Sequence, residues 1–171
     1  MQTLVLTVIG DDRPGLVKAL AEAVAAGGGN WERSQLAELA GKFAGVVVVT
    51  IDEADAPGLR DALGSVAGVL DVGVHEESSD GPGGSGPALT VDLLGNDRPG
   101  IVRDISGVLA EHGLSVDEMH TATREAPMAG GQLFEARIRA HAAAGSDPGV
   151  VRAALEALAQ EILVDLTVET D

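Results

Sequence analysis

The residues best suited to chemistry stand in one short turn that occurs twice. Gly10-Asp11-Asp12-Arg13-Pro14-Gly15-Leu16-Val17 recurs as Gly95-Asn96-Asp97-Arg98-Pro99-Gly100-Ile101-Val102, an offset of 85 residues. Each copy follows a β-type run and precedes a helical pattern, so each reads as a strand-to-helix turn. The glycines let backbone approach backbone or a ligand closely. The proline fixes φ where the helix is expected to begin. The helix start then offers unpaired N–H groups and a partial positive charge, a receptor for a carboxylate. Asp11, Asp12 and, farther along, Asn30 are acceptors for an ammonium group; their counterparts are Asn96, Asp97 and Ser115. Carboxylate receptor and ammonium acceptors together are what recognises a free amino acid. The same residues admit plainer roles. Asp12 and Asp97 are placed to cap helix N-termini. Arg13 and Arg98 can pair with nearby acids, and Asn30 can stabilise a turn after Gly27-Gly28-Gly29.

Other chemistry finds little support. The histidines, His75, His112, His120 and His141, are scattered without metal-ligand spacing, so no metal or other cofactor is expected. There is no cysteine and no tyrosine. Disulfides, thiolate nucleophiles and Cys-type zinc sites are thereby excluded. Neither a Gly-x-Ser-x-Gly elbow nor a Walker-type loop occurs. No set of nucleophile, base and oxyanion donor can be assembled, so an enzyme is not expected. Trp31, the only tryptophan, reads as a core or interface residue.

Charge narrows the partners. Eleven Lys and Arg stand against 27 Asp and Glu among 171 residues, a formal net charge of −16. Phosphate binding needs clustered cations, so direct nucleic-acid binding and docking on anionic membranes are not expected. Residues 3–9 read as a strand without a basic leader, and no apolar run approaches the length of a membrane span. A cytoplasmic protein is the expectation.

The elements that must position the turns also repeat. Leu4–Ile9 and Leu89–Leu94 are the first strands. Leu16, Val17, Leu20 and Val24 stripe the first helix, and Ile101, Val102, Ile105 and Leu109 its counterpart. Gly27 and Gly113 follow those helices, as C-termini prefer. Strands over 31–39 and 43–51 flank a tight Ala40-Gly41-Lys42 turn; 114–124 and 132–140 match them, with a longer Glu125–Gly131 connection. Second helices start near Pro57-Gly58 and Pro148-Gly149, the latter with Asp147 as cap. They are striped by Leu59, Leu63 and Val66, and by Val151, Leu155 and Leu158. Val69–Val74 and Ile162–Val168 are the closing strands. Each unit is thus β-α-β-β-α-β: an α+β, ferredoxin-like order with an antiparallel sheet and both helices on one face. The units span 1–77 and 88–171, joined by a Gly/Ser/Pro-rich linker at 78–87.

The Asp-Arg-Pro-Gly-[Leu/Ile]-Val turn and the Gly-Gly-Gly-Asn30 segment resemble ACT domains. Two such units with little else, together with NWERSQLAEL (30–39) and QLFEARIRAH (132–141), resemble the glycine cleavage system transcriptional repressor family. The second unit also resembles the regulatory ACT segment of formyltetrahydrofolate deformylases. The resemblance implies a homodimer or pseudo-dimer with amino-acid effectors at domain interfaces. In that family the turn and the start of the second strand line the site, here Gly10–Leu16 with Asn30 and Asn96–Ile101 with Ser115. It further implies glycine sensing and action through a transcription-factor partner; an enzyme partner is also compatible. The alternative is an effector-free module for dimerisation and docking.

Overall fold

A computed structural model describes residues 1–77, 86–126 and 130–170. The chain divides into two compact units, Met1–Ser79 and Asp80–Asp171. The boundary falls in the stretch read as a linker, of which residues 78–85 lie outside the described residues. So do residues 127–129 of the longer connection.

In the first unit, β1 (Gln2–Asp11) leads to α1 (Leu16–Ala26), then to β2 (Asn30–Leu39), β3 (Lys42–Ile51), α2 (Ala56–Leu63) and β4 (Asp71–Glu76). The second unit repeats the order with β5 (Ala88–Asn96), α3 (Ile101–Glu111), β6 (Leu114–Glu125), β7 (Gln132–Ala142), α4 (Pro148–Ile162) and β8 (Val164–Thr170). The sheets run β2-β3-β1-β4 and β6-β7-β5-β8, with every neighbouring pair antiparallel. This is the ferredoxin-like α+β arrangement expected.

Alternation along the central strands decides where each core lies. Leu4, Leu6 and Val8 of β1 point with Val47, Val49 and Ile51 of β3 against Leu20, Leu59 and Leu63, all buried. Leu89, Val91 and Leu93 do the same with Ile138, Ile105 and Leu155. The helix stripe is narrower than expected. Val17 and Val102 are 46% and 40% exposed, because one residue of α-helix turns the side chain about 100° off the inward face. Ala23 joins the buried stripe of α1, and Ala159, rather than half-buried Leu158, that of α4.

The closing strands start later than expected. A 3-10 turn (Gly64–Val66) follows α2, and the N–H groups of Val69 and Leu70 both return to the Val66 carbonyl at 2.9 Å. Those donors are unavailable to a ladder until Asp71. In the second unit α4 continues to Ile162, and Leu163 ends it in the left-handed conformation. Asp147 caps α4 as expected, accepting from the Gly149 N–H at 2.8 Å.

Candidate functional site: the strand-to-helix turns

The first turn is held by three backbone features. Gly10 lies so close to the loop before β4 that a Cβ there would stand 2.4 Å from the Val69 carbonyl oxygen, an impossible contact. Asp12 donates its N–H to the Gly41 carbonyl at 2.9 Å, tying the turn to the β2–β3 hairpin. Gly15 then enters α1 at φ 94°, a left-handed conformation that disfavours any side chain.

This geometry corrects the capping expectation. Gly15 and Gly100, not Asp12 and Asp97, hold the N-cap positions, and neither helix has a side-chain cap bond. The strand-end backbone claims the aspartates instead: Asp97 donates its N–H to the Gln132 carbonyl at 2.8 Å, as Asp12 does to Gly41. Pro14 and Pro99 lie in the turn before the helix rather than in its first residues. The outcome favours the anion-receptor property, since no side-chain oxygen covers the first N–H groups of α1.

The side chains around the two turns differ. Asp11 pairs with Lys42 of β3, whose hydrogen bond holds the Asp11 carboxyl below its ordinary value. Ile9, Gly10, Asp11, Lys42 and the 67–71 loop line a shallow hollow of about 370 Å³. Arg13 is exposed and forms no salt bridge among the described residues, though its charge helps lower the Asp11 pKa. In the second unit Arg98 reaches Asp104 at 2.7 Å, and Arg103 holds the other Asp104 oxygen at 2.8 Å. These two contacts, Arg98 first, lower the Asp104 pKa. The position matching Asp104 in the first unit is Ala19. One turn therefore carries a carboxylate bonded to its arginine, while in the other the Arg13 charge acts on Asp11 without a salt bridge.

Asn30 and Ser115 fall elsewhere. Asp11 is in register with Lys42, while Asn30 is in register with Thr50, eight residues along β3. At about 3.4 Å per residue the two are roughly 27 Å apart. Ser115 opposite His141 and Asn96 opposite Leu133 show the same separation. A strand and the parallel strand reached through one helix start at the same sheet end, so the turn closing the first strand lies at the other end. Within one unit, no single amino acid touches both. Asn30 instead donates to Glu32 at 2.6 Å, which also accepts from Thr50 at 2.9 Å. Lys42, Glu32 and Asp104 were not singled out from sequence, because only cross-strand register and helix rotation bring them to their partners.

The hollow of about 670 Å³ lies away from both turns, on the open sheet face of the second unit. Apart from Asp165, its charged walls are cross-paired. Arg137 holds Asp92 through two bonds of 2.6 and 3.1 Å, His120 meets Glu118 at 2.8 Å, and Arg124 pairs with Glu135. Among the described residues no cluster of three or more metal-ligating side chains forms, and no helix is long and apolar enough to cross a membrane.

Family models for the ACT domain match residues 2–76 and again residues 90–160. The chain belongs to the ACT-domain family, with two units in tandem. It resembles the glycine cleavage system transcriptional repressor of Escherichia coli (strain K12), at 26% identity over 163 residues, covering 93% of this chain and 85% of the relative. The repressor of the same name from Shigella flexneri matches equally. A crystal structure of a Galdieria sulphuraria protein of unknown function shares the fold over 99% of this chain and 98% of its own, with TM-score 0.87 and 30% identity.

Proposed function

We propose that the chain is a cytoplasmic regulator of amino-acid or one-carbon metabolism whose first ACT unit receives glycine or another small amino acid. The observation that carries this is the contrast between the turns: α1 begins uncapped behind Gly15 with Arg13 unbridged, while Arg98 is already engaged by Asp104. The effector carboxylate would take the α1 N–H groups and Arg13, and Asp11 or Asp12 would accept from its ammonium. ACT units and the likeness to a named repressor support a regulatory, non-enzymatic role. With a net charge of −16, action through a protein partner such as a transcription factor fits better than direct grip on DNA. The effector acts by binding one arrangement of the protein better than another.

Thermal shift against the proteinogenic amino acids, glycine and serine first, tests the reading. An effector at 100 times its Kd stabilises by about 2.7 kcal/mol. A selective shift lost in Arg13→Ala supports it. No shift across the panel from a folded sample would leave the effector-free docking module as the better account.

A further inference from the structure

A groove of about 730 Å³ lies between α3 and α4 of the second unit. Its apolar lining comes from Val108, Leu158, Ile162 and Leu163. The first three are half-buried and back onto the core. Two residues of the groove weaken the fold without compensation inside it. Gly107 stands midway along α3, where glycine destabilises a helix. Its φ is not left-handed, and a Cβ there would meet nothing within 4 Å beyond its own helix backbone. Neither conformation nor packing within the unit calls for glycine. Leu163 ends α4 in the left-handed conformation, at φ 56° and ψ 55°, where glycine is the usual residue and a bulky one is strained. Its side chain is 83% exposed, so no burial within the unit offsets the strain. Features that burden the fold and share one surface mark that surface as functional.

The charges of the groove divide into engaged and unengaged. Arg98 and Arg103 both bond to Asp104, at 2.7 and 2.8 Å. Glu111 and Glu161 also line the groove; both are exposed, and neither stands in a salt bridge among the described residues. The cations are therefore already neutralised and the two glutamates are not. The first unit supplies a comparison. At the offset of 85 residues, Glu22 stands where α3 has Gly107, and Ala26 where it has Glu111. Glu22 lies 3.7 Å from Lys18 on the same helix. The matching face of α1 thus carries a side chain where α3 is bare, and its carboxylate has a partner.

We infer that this groove docks a basic amphipathic helix of the regulated protein partner. The helix would lay its apolar side on Val108, Leu158, Ile162 and Leu163 and its lysines or arginines on Glu111 and Glu161. The kind of partner rests on the regulatory reading above; the docking site rests on the groove alone. Charge selects the occupant. A chain of net charge −16 attracts cationic segments, and the two unbridged glutamates give them a local target. A second copy seated here would bring further carboxylates onto those glutamates. An anionic segment would find both arginines engaged by Asp104. A protein that grips DNA carries clustered Lys and Arg, so it has basic segments to offer. The bare α3 surface at Gly107 admits the incoming backbone closely, and Leu163 adds an exposed apolar contact.

Fluorescence anisotropy on the full chain tests this with a synthetic amphipathic Leu/Lys helix of about 18 residues, or about five turns. The controls are a Leu/Lys peptide of the same composition in scrambled order and an amphipathic Leu/Glu helix. No amino acid is added, so a blank effector panel leaves the outcome untouched. The amphipathic Leu/Lys helix is expected to bind about tenfold or more tighter than either control. Gly107→Gln and Leu163→Gly should each weaken it by about tenfold, with melting temperatures at or above the wild type's, because each relieves a local burden on the fold. Val150→Ser, on exposed α4 surface outside the groove, leaves binding unchanged. Glu111→Gln combined with Glu161→Gln should flatten the salt dependence. No binding by the amphipathic Leu/Lys helix overturns the inference. So does equal binding of the scrambled peptide, or binding that survives both groove variants. Weakened binding with a lowered melting temperature would assign Gly107 and Leu163 to the fold instead. A wild-type dimer that dissociates in Gly107→Gln, by sedimentation velocity, would make a second copy the occupant.

Discussion

Arg98 donates to Asp104 at 2.7 Å across the start of α3, and the matching positions in the first unit are Arg13 and Ala19. One substitution in the first helical turn therefore separates an arginine hydrogen-bonded to a carboxylate from one that only sits near the charge of Asp11. In a low-charge pocket this would be a detail. Between the two strand-to-helix turns, only the first pairs an uncapped helix start with an arginine that has no carboxylate within salt-bridge distance among the described residues. Binding of an amino-acid carboxylate should follow that difference.

Arg13→Ala is expected to weaken effector binding by about tenfold or more, the loss of one charge-assisted hydrogen bond of about 1.5–3 kcal/mol. Arg98→Ala leaves the affinity unchanged. Asp104→Ala releases Arg98 and raises the stoichiometry from one amino acid per chain to two. Titration calorimetry measures both quantities. Equal losses from Arg13→Ala and Arg98→Ala would show that the ion pair in the second unit does not block its turn.

The same pair gives a pH dependence. Arg98, then Arg103, hold the Asp104 carboxyl below its ordinary value. A carboxyl with a depressed folded pKa contributes its full stability above the unfolded value, about 3.9, and loses it as pH falls through the folded value. Asp104→Asn should therefore melt below the wild type at about pH 7, and the gap should narrow as pH falls to about 3. A gap constant across that range, in melts followed by circular dichroism, would mean the carboxylate charge contributes nothing.

The caps make a separate test. Asp147 accepts from the Gly149 N–H, whereas Asp12 and Asp97 cap nothing. Asp147→Ala should cost about 1 kcal/mol in urea denaturation. Asp12→Ala and Asp97→Ala should stay within about 0.5 kcal/mol of the wild type, as exposed substitutions do. A loss of about 1 kcal/mol at Asp12 would place its side chain on the helix start after all.

Much of the fold was legible because it rests on local periodicity. The β1 and β5 runs alternate, the helices carry apolar stripes, and the turn motif is written twice. What was not legible needed atoms brought together by register. Gly15 outcompeted Asp12 for the cap because the β1 ladder continues through Asp11 and the Asp12 N–H is committed to Gly41. The Ala19/Asp104 difference is visible in sequence, but its effect on Arg98 depends on side-chain reach.

Asn30 sharpens the remaining question about the site. It lies eight register steps from the turn and already donates to Glu32 at 2.6 Å. If one turn holds the effector, Asn30→Ala should leave the Kd within about twofold, while Arg13→Ala raises it by about tenfold or more. The amide is exposed, so its removal should not perturb folding, and calorimetry on the full chain compares the two variants directly. A tenfold loss from Asn30→Ala, with the melting temperature unchanged, would require the turn of one ACT unit and the β2 start of another to share one amino acid. The first result makes the effector a ligand of a single unit, which can act only through that unit's own equilibrium. The second makes it a clamp between units, whose affinity rises with their association.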